Sequence, residues 1–161
     1  MLFIAMTDLL QFLEQSSLAV TIRQSSWLYP FLEIIHITGI ILLVGAAFLF
    51  DLRLLGSSKH IPIVDLNKHL LPWSLRGLLL VIPSGILLFS TNAAALGFDP
   101  VFWLKMSLLI LAACNAFIFH KIASRTEVGV YASPPVAAKV MAAISILLWI
   151  AIISCGRLLA Y

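Results

Sequence analysis

Glu33 and His36 lie three residues apart inside an apolar run that extends from Phe31 to Phe50. On a helix that spacing puts a carboxylate and an imidazole on one face, about one turn apart. An acid beside an imidazole can fix the tautomer of the ring or pass a proton. Neutral imidazole can also ligate a metal such as haem iron. A run this long and apolar is a membrane span, and ionisable side chains at membrane depth are costly. Two on one face of a span mark a candidate site.

The remaining polar residues of the apolar segments sort into two layers when depth is counted at about 1.5 Å per helical residue. Glu33 and His36 share the outer layer with Lys105 and Met106. Asp51, His69, Arg76, Asn115 and His120 belong to the inner layer. Several pairings are open. Glu33 can pair with Lys105, handle a proton, hold the His36 ring or face solvent. Asp51 can pair with Arg76, or Arg76 can snorkel to the interface. His36 is a candidate haem ligand, or a buried histidine bonded to Glu33, Thr38 or a backbone carbonyl. His69 and His120 either sit at the interface, as histidines at helix ends often do, or are candidates to clamp one haem b between facing helices, with Arg76 and Lys68 near its propionates. Met106 is an outer ligand by depth and a packing residue by type. His60, beside Lys59, is expected to be solvated. No metal is expected beyond a possible haem iron.

The elements that must position these residues are helices, because continuous apolar stretches in lipid have to satisfy their backbone internally. Four are long enough to cross about 30 Å of hydrocarbon: Trp27 to Leu55, Leu70 to Ser90, Pro100 to Ile122 and Val136 to Leu159. Ser25 and Ser26 can cap the first, and Trp27 and Tyr29 suit the headgroup region. Asp99-Pro100 starts the third, and Pro134-Pro135 precedes the fourth. Gly156 and Arg157 suit the end of the fourth. Pro83 interrupts the backbone ladder of the second and leaves a carbonyl for Ser or water. Gly39 and Gly45 allow close approach by a neighbour.

Residues 1–24 alternate Leu9, Leu10, Phe12 and Leu13 with Asp8, Gln11, Glu14 and Gln15. This predicts an amphipathic interfacial helix. It does not read as a signal peptide, since a basic leading segment and a cleavage site are lacking. The expected fold is therefore all-α: residues 1–24 form the interfacial segment and residues 25–161 a four-helix transmembrane bundle.

Composition agrees. Of the 161 residues, 62% are hydrophobic and 11% charged, and mean hydropathy is +1.10. That excludes a soluble globule of this size, which needs a polar exterior. The net charge of +3 is small and scattered, which excludes a nucleic-acid surface. Cys114 and Cys155 lie at different depths and are expected to pack rather than pair. Walker, His-Glu-x-x-His, Gly-x-Ser-x-Gly and Cys-x-x-Cys motifs are absent. Arg53, Lys59, Lys68, Arg76, Lys121, Arg125 and Lys139 lie on one side, Arg23, Lys105 and Arg157 on the other. The excess places the first group in the cytoplasm. In a bacterium both termini are then periplasmic and the protein sits in the inner membrane.

The stretches WLYPFLEIIHITGIILLVGAAFLFDLRLLG, FWLKMSLLILAACNAFIFHK and WIAIISCGRLLAY resemble an uncharacterised family of small bacterial four-span membrane proteins, over nearly the whole chain. The matching positions are Glu33 and His36, Asp51 and Arg53, Lys105 and Asn115, and Gly156 and Arg157. More distantly, the chain is similar to copper-resistance D-like and cytochrome b561-like bundles, on span count and a histidine in the first span. Two functions are expected from these readings. One is a small b-type cytochrome-like subunit with haem b, passing electrons to a quinone or a redox partner subunit. The other is a non-catalytic membrane subunit or partner-binding module in which the buried charges are structural pairs.

Overall fold

The computed structural model describes residues 2–125 and 134–159. Among these the regular elements are helices: α1 (Leu2–Glu14), α2 (Ser17–Gln24), α3 (Leu28–Leu55), α4 (Ile63–Thr91), α5 (Ala93–Phe98), α6 (Pro100–Arg125) and α7 (Val136–Leu158). Four of them, α3, α4, α6 as far as Lys121, and α7, are long and apolar enough to cross a membrane. The protein is an all-α, multi-pass membrane protein. Arg125, one of the charges behind the expected orientation, lies outside the described side chains.

Local chemistry sets the helix ends. Ser25 Oγ accepts from the amides of Trp27 and Leu28 at 3.4 and 3.2 Å, ahead of α3. Asp99 Oδ1 accepts from the Val101 amide at 2.7 Å, so α6 starts at Pro100 as expected. α3 stops at Gly56, whose φ of 112° lies in the left-handed region that favours glycine. There the Gly56 and Ser57 amides close on the Arg53 and Leu52 carbonyls.

Four features differ from the sequence reading. α4 begins at Ile63, a full turn and more before Leu70, because the polar first turns of this helix project beyond the hydrocarbon. α5 is an additional short helix between α4 and α6. The amphipathic segment is two helices, α1 and α2, divided at Ser16, whose hydroxyl accepts from the Ala19 amide and caps α2. Gly156 does not end α7, which continues to Leu158.

The order of packing is α4, α3, α7, α6. α3 packs most extensively on α4 and also on α7, and α6 packs on α7. α4 and α6 do not approach backbone to backbone. They meet through Phe89 stacked on Phe102 at 5.1 Å between ring centroids. Phe50 of α3 reaches Phe119 of α6 edge-on at 5.6 Å. A buried apolar cluster of Leu54, Ile63 and Ala142 joins α3, α4 and α7 near that end.

The α3–α4 crossing rests on two glycines. A Cβ on Gly77 would lie 2.5 Å from the Leu43 nitrogen and 2.7 Å from the Gly39 oxygen. A Cβ on Gly39 would lie 2.9 Å from the Gly77 oxygen. Backbone is touching backbone, the arrangement small residues permit between membrane helices. Gly45, the other glycine expected to serve, has nothing within 4 Å of its Cβ position.

At the opposite end of α4, the N-terminal helices are held by polar contacts. Glu14 pairs with Arg23 at 3.2 Å and accepts from the Ala94 amide at 2.9 Å. Arg23 also donates to the Thr91 carbonyl at 3.3 Å. Leu10 is buried against Gly97.

Gly77→Val should therefore force α3 and α4 apart and cost about 1–3 kcal/mol, the usual range for overpacking. Gly45→Ala should leave stability unchanged. Thermal unfolding of both variants in detergent checks this, with the contrast between them as the readout.

Candidate functional site

His36 is half-buried, and its ring lies against α4. Nδ1 is 2.9 Å from Ser84 Oγ, and the ring also hydrogen-bonds the Val81 carbonyl. Ser84 is 3% exposed. Its hydroxyl donates to the Leu80 carbonyl at 2.5 Å, with the Val81 carbonyl at 3.3 Å. A serine has one proton to give, and here it goes to the α4 backbone. The Nδ1–H of His36 is therefore the donor to Ser84 Oγ, and Nε2 keeps its lone pair.

The local sequence explains this arrangement. Pro83 has no N–H, so the Leu79 carbonyl lacks its helical donor. One residue on, Ser84 folds back on the preceding turn, as serines in membrane helices do. Gly85 leaves room for the ring: a Cβ there would be 3.0 Å from His36 Cε1.

Lys105 of α6 reaches the same layer. It is near enough for its charge to bear on His36, and it neighbours Cys155 of α7. Its Nζ lies 3.8 Å from where a Cβ on Gly156 would stand. Four helices thus contribute to the outer polar layer: His36, Ser84 with Gly85, Lys105, and Cys155 with Gly156. Glu33 is not in it. Its side chain is exposed, beside Tyr29 on the turn before. No ion pair between Glu33 and Lys105 is formed among the described residues. Glu33 lies near the end of a helix about 42 Å long, taking about 1.5 Å per residue, against about 30 Å of hydrocarbon. At that depth its carboxylate can reach water.

The inner layer is also distributed differently from the expected pairs. Asp51, 7% exposed, hydrogen-bonds to Ser145 of α7. Arg76 is exposed and lies over the Trp73 ring, with 4.8 Å from Cζ to the centroid. The Asp51–Arg76 pair is not formed: Gly77 crosses α3 at Leu43, which puts Arg76 about two turns from the level of Asp51, and Arg76 turns out over its own helix. Asn115 Nδ2 donates to the Met141 carbonyl at 3.1 Å, tying α6 to α7. His69 is exposed, and its Nδ1 is 2.9 Å from the carbonyl of Asp65 in its own helix. His120 is exposed beside Phe119. Because α4 and α6 do not pack backbone to backbone, these two histidines are not brought face to face across a packed pair. Among the described residues no group of three or more His, Cys, Asp or Glu side chains is arranged to hold a metal ion. Cys114 is exposed and Cys155 buried, both with free thiols.

Arg53 was read as a topology charge, and the structure gives it a further role. It is 4% exposed. Its Nε donates to the Ile61 carbonyl at 2.6 Å and an Nη to the Lys59 carbonyl at 3.2 Å. The guanidinium clasps the turn between α3 and α4.

The model of a family of unknown function matches residues 10–161. The chain belongs to this family, DUF6644. No curated protein and no solved structure matches the chain. Family membership agrees with the resemblance to an uncharacterised four-span family. The likeness to copper-resistance D-like and cytochrome b561-like bundles has no support from these comparisons.

Ser84 was the residue of the outer site hardest to find. Its signal is the Pro83-Ser84-Gly85 run within a span, where a missing amide, a short hydroxyl and a missing Cβ fall together. Nitrogen NMR of histidine-labelled protein should show neutral His36 protonated at Nδ1. Ser84→Ala should weaken that signature and cost about 0.6 kcal/mol, the average for a polar contact between membrane helices.

Proposed function

We propose that the protein is a non-catalytic membrane subunit, a four-helix module that packs on a partner in the bilayer, with its interior polar groups fixing how its own helices fit together. One observation carries this reading: four interior polar side chains, buried or half-buried, reach across to neighbouring helices or turns. His36 bonds to Ser84, Asp51 to Ser145, Asn115 to the Met141 carbonyl, and Arg53 to the turn before α4. Each contact is worth well under about 1 kcal/mol on average. Such contacts serve register and pairing more than bulk stability. The basic excess on the α3–α4 turn and its flanks supports an orientation with that side in the cytoplasm of a bacterial inner membrane and both termini periplasmic.

A second reading, a small b-type cytochrome-like subunit with haem b that passes electrons to a quinone or a redox partner, is favoured by the Nε2 lone pair of His36. A haem-ligating imidazole commonly has its other nitrogen tied by a hydrogen bond, as Nδ1 is here. His69 and His120 supply less support, being exposed on helices that do not pack together.

Purification from haem-replete cells and a reduced-minus-oxidised spectrum separates the two. The expected result is a flat spectrum in folded protein. A haem b alpha band that His36→Ala abolishes would replace the first reading with the second.

A further inference from the structure

Among the described residues, Asp51 Oδ2 is the one buried side-chain oxygen or nitrogen with no hydrogen-bond partner. The whole residue is 7% exposed, before any lipid covers the outer face of the bundle. Its surroundings are apolar. One turn on, Leu54 packs with Ile63 of α4 and Ala142 of α7, and the Phe50–Phe119 pair lies against them.

The charged groups near this end do not compensate it. On its own helix, Arg53 is committed to the Ile61 and Lys59 carbonyls. On α4, Arg76 lies over Trp73, while Asp65, Lys68 and His69 are exposed. On α6, His120 and Lys121 are exposed. On α7 the facing group is Ser145, with Lys139 half-buried nearly two turns before it. No ion pair to Asp51 is formed among the described residues.

An ionised carboxylate needs several donors or a counter-charge when it leaves water. Asp51 has one serine. A neutral carboxylic acid needs far less: the serine satisfies one oxygen, and a lone hydroxyl is a smaller burden to bury than a charge. We propose that Asp51 is a proton-binding site at the α3–α7 interface, able to hold its carboxyl in the acid form with Ser145 as its partner. Loss of that proton would leave a bare charge between the two helices. It would draw water or a cation in and loosen their contact. Protonation is thereby coupled to helix packing, a property beyond the structural role proposed above.

Infrared spectroscopy of the full-length protein in detergent tests this. The wild type at mildly acidic pH should show a protonated-carboxyl C=O band that is missing from Asp51→Asn. The variant, a neutral isostere, should melt like the wild type. If both proteins are folded and their carboxyl regions coincide, the proposal is overturned. Should Asp51→Asn fail to fold, labelling of the wild type with dicyclohexylcarbodiimide decides. The reagent adds to a protonated acid: the acid proton moves to a carbodiimide nitrogen, the carboxyl oxygen bonds to the central carbon, and an acyl shift to nitrogen leaves a stable acylurea with nothing released. An adduct on the peptide that contains Asp51 supports the site, and an unmodified peptide overturns it.

Discussion

The rest of this bundle depends on the contact between the α3 and α4 backbones at Gly39 and Gly77. In lipid there is no hydrophobic drive to push two apolar helices together, so close packing has to supply the attraction. Close packing is available only where Cβ atoms are absent from the contact. With that crossing fixed, register follows along both helices. Toward one end His36 comes level with Ser84 and Gly85. Toward the other, Arg53 comes within reach of the carbonyls that lead into α4. A larger residue at either glycine would displace both sets of contacts, even though neither glycine touches them.

Two solutions recur among the polar side chains: His36, Asn115 and Arg53 have partners on another segment of the chain, and Glu33 lies outward near a helix end where water is in reach. Ser84 meets two needs at once, donating to its own helix and accepting from His36. Arg53 shows the first solution at its most demanding, since a buried guanidinium is tolerated only because carbonyls surround it. Glu33 shows the opposite solution, a charge near the helix end left facing outward. Asp51 follows the first pattern with one oxygen only, its Oδ2 being left without a partner, which sets it apart from the other ionisable groups.

The four spans could be read from composition and length because membrane thickness leaves little freedom. The start of α6 at Asp99-Pro100 was equally readable, being local chemistry, whereas Ser25 holds two amides from ahead of α3 and the N-cap itself is Trp27, without a side-chain cap. What depth arithmetic could not supply was rotation about the helix axis. It placed Glu33 beside Lys105, a pair that failed on azimuth, and Asp51 beside Arg76, a pair that the register of the Gly39–Gly77 crossing separates by about two turns. Arg76 has Trp73 one turn away on its own helix, a competitor that level does not reveal. Gly156 was read as a helix end because glycine often is one. Here it leaves space near the lysine of a neighbouring helix, a reason that exists only in three dimensions. The break between α1 and α2 was written in Ser16, but the amphipathic pattern ran across it.

The Arg53 clasp bears on how the chain enters the membrane. It closes a hairpin from within, using donors and acceptors separated by only a few residues, and the glycine crossing lies midway along the same two helices. Contacts so local in sequence form early. α3 and α4 can therefore leave the insertion machinery as a finished pair, offering α7 a preassembled surface on which the second half of the protein is built.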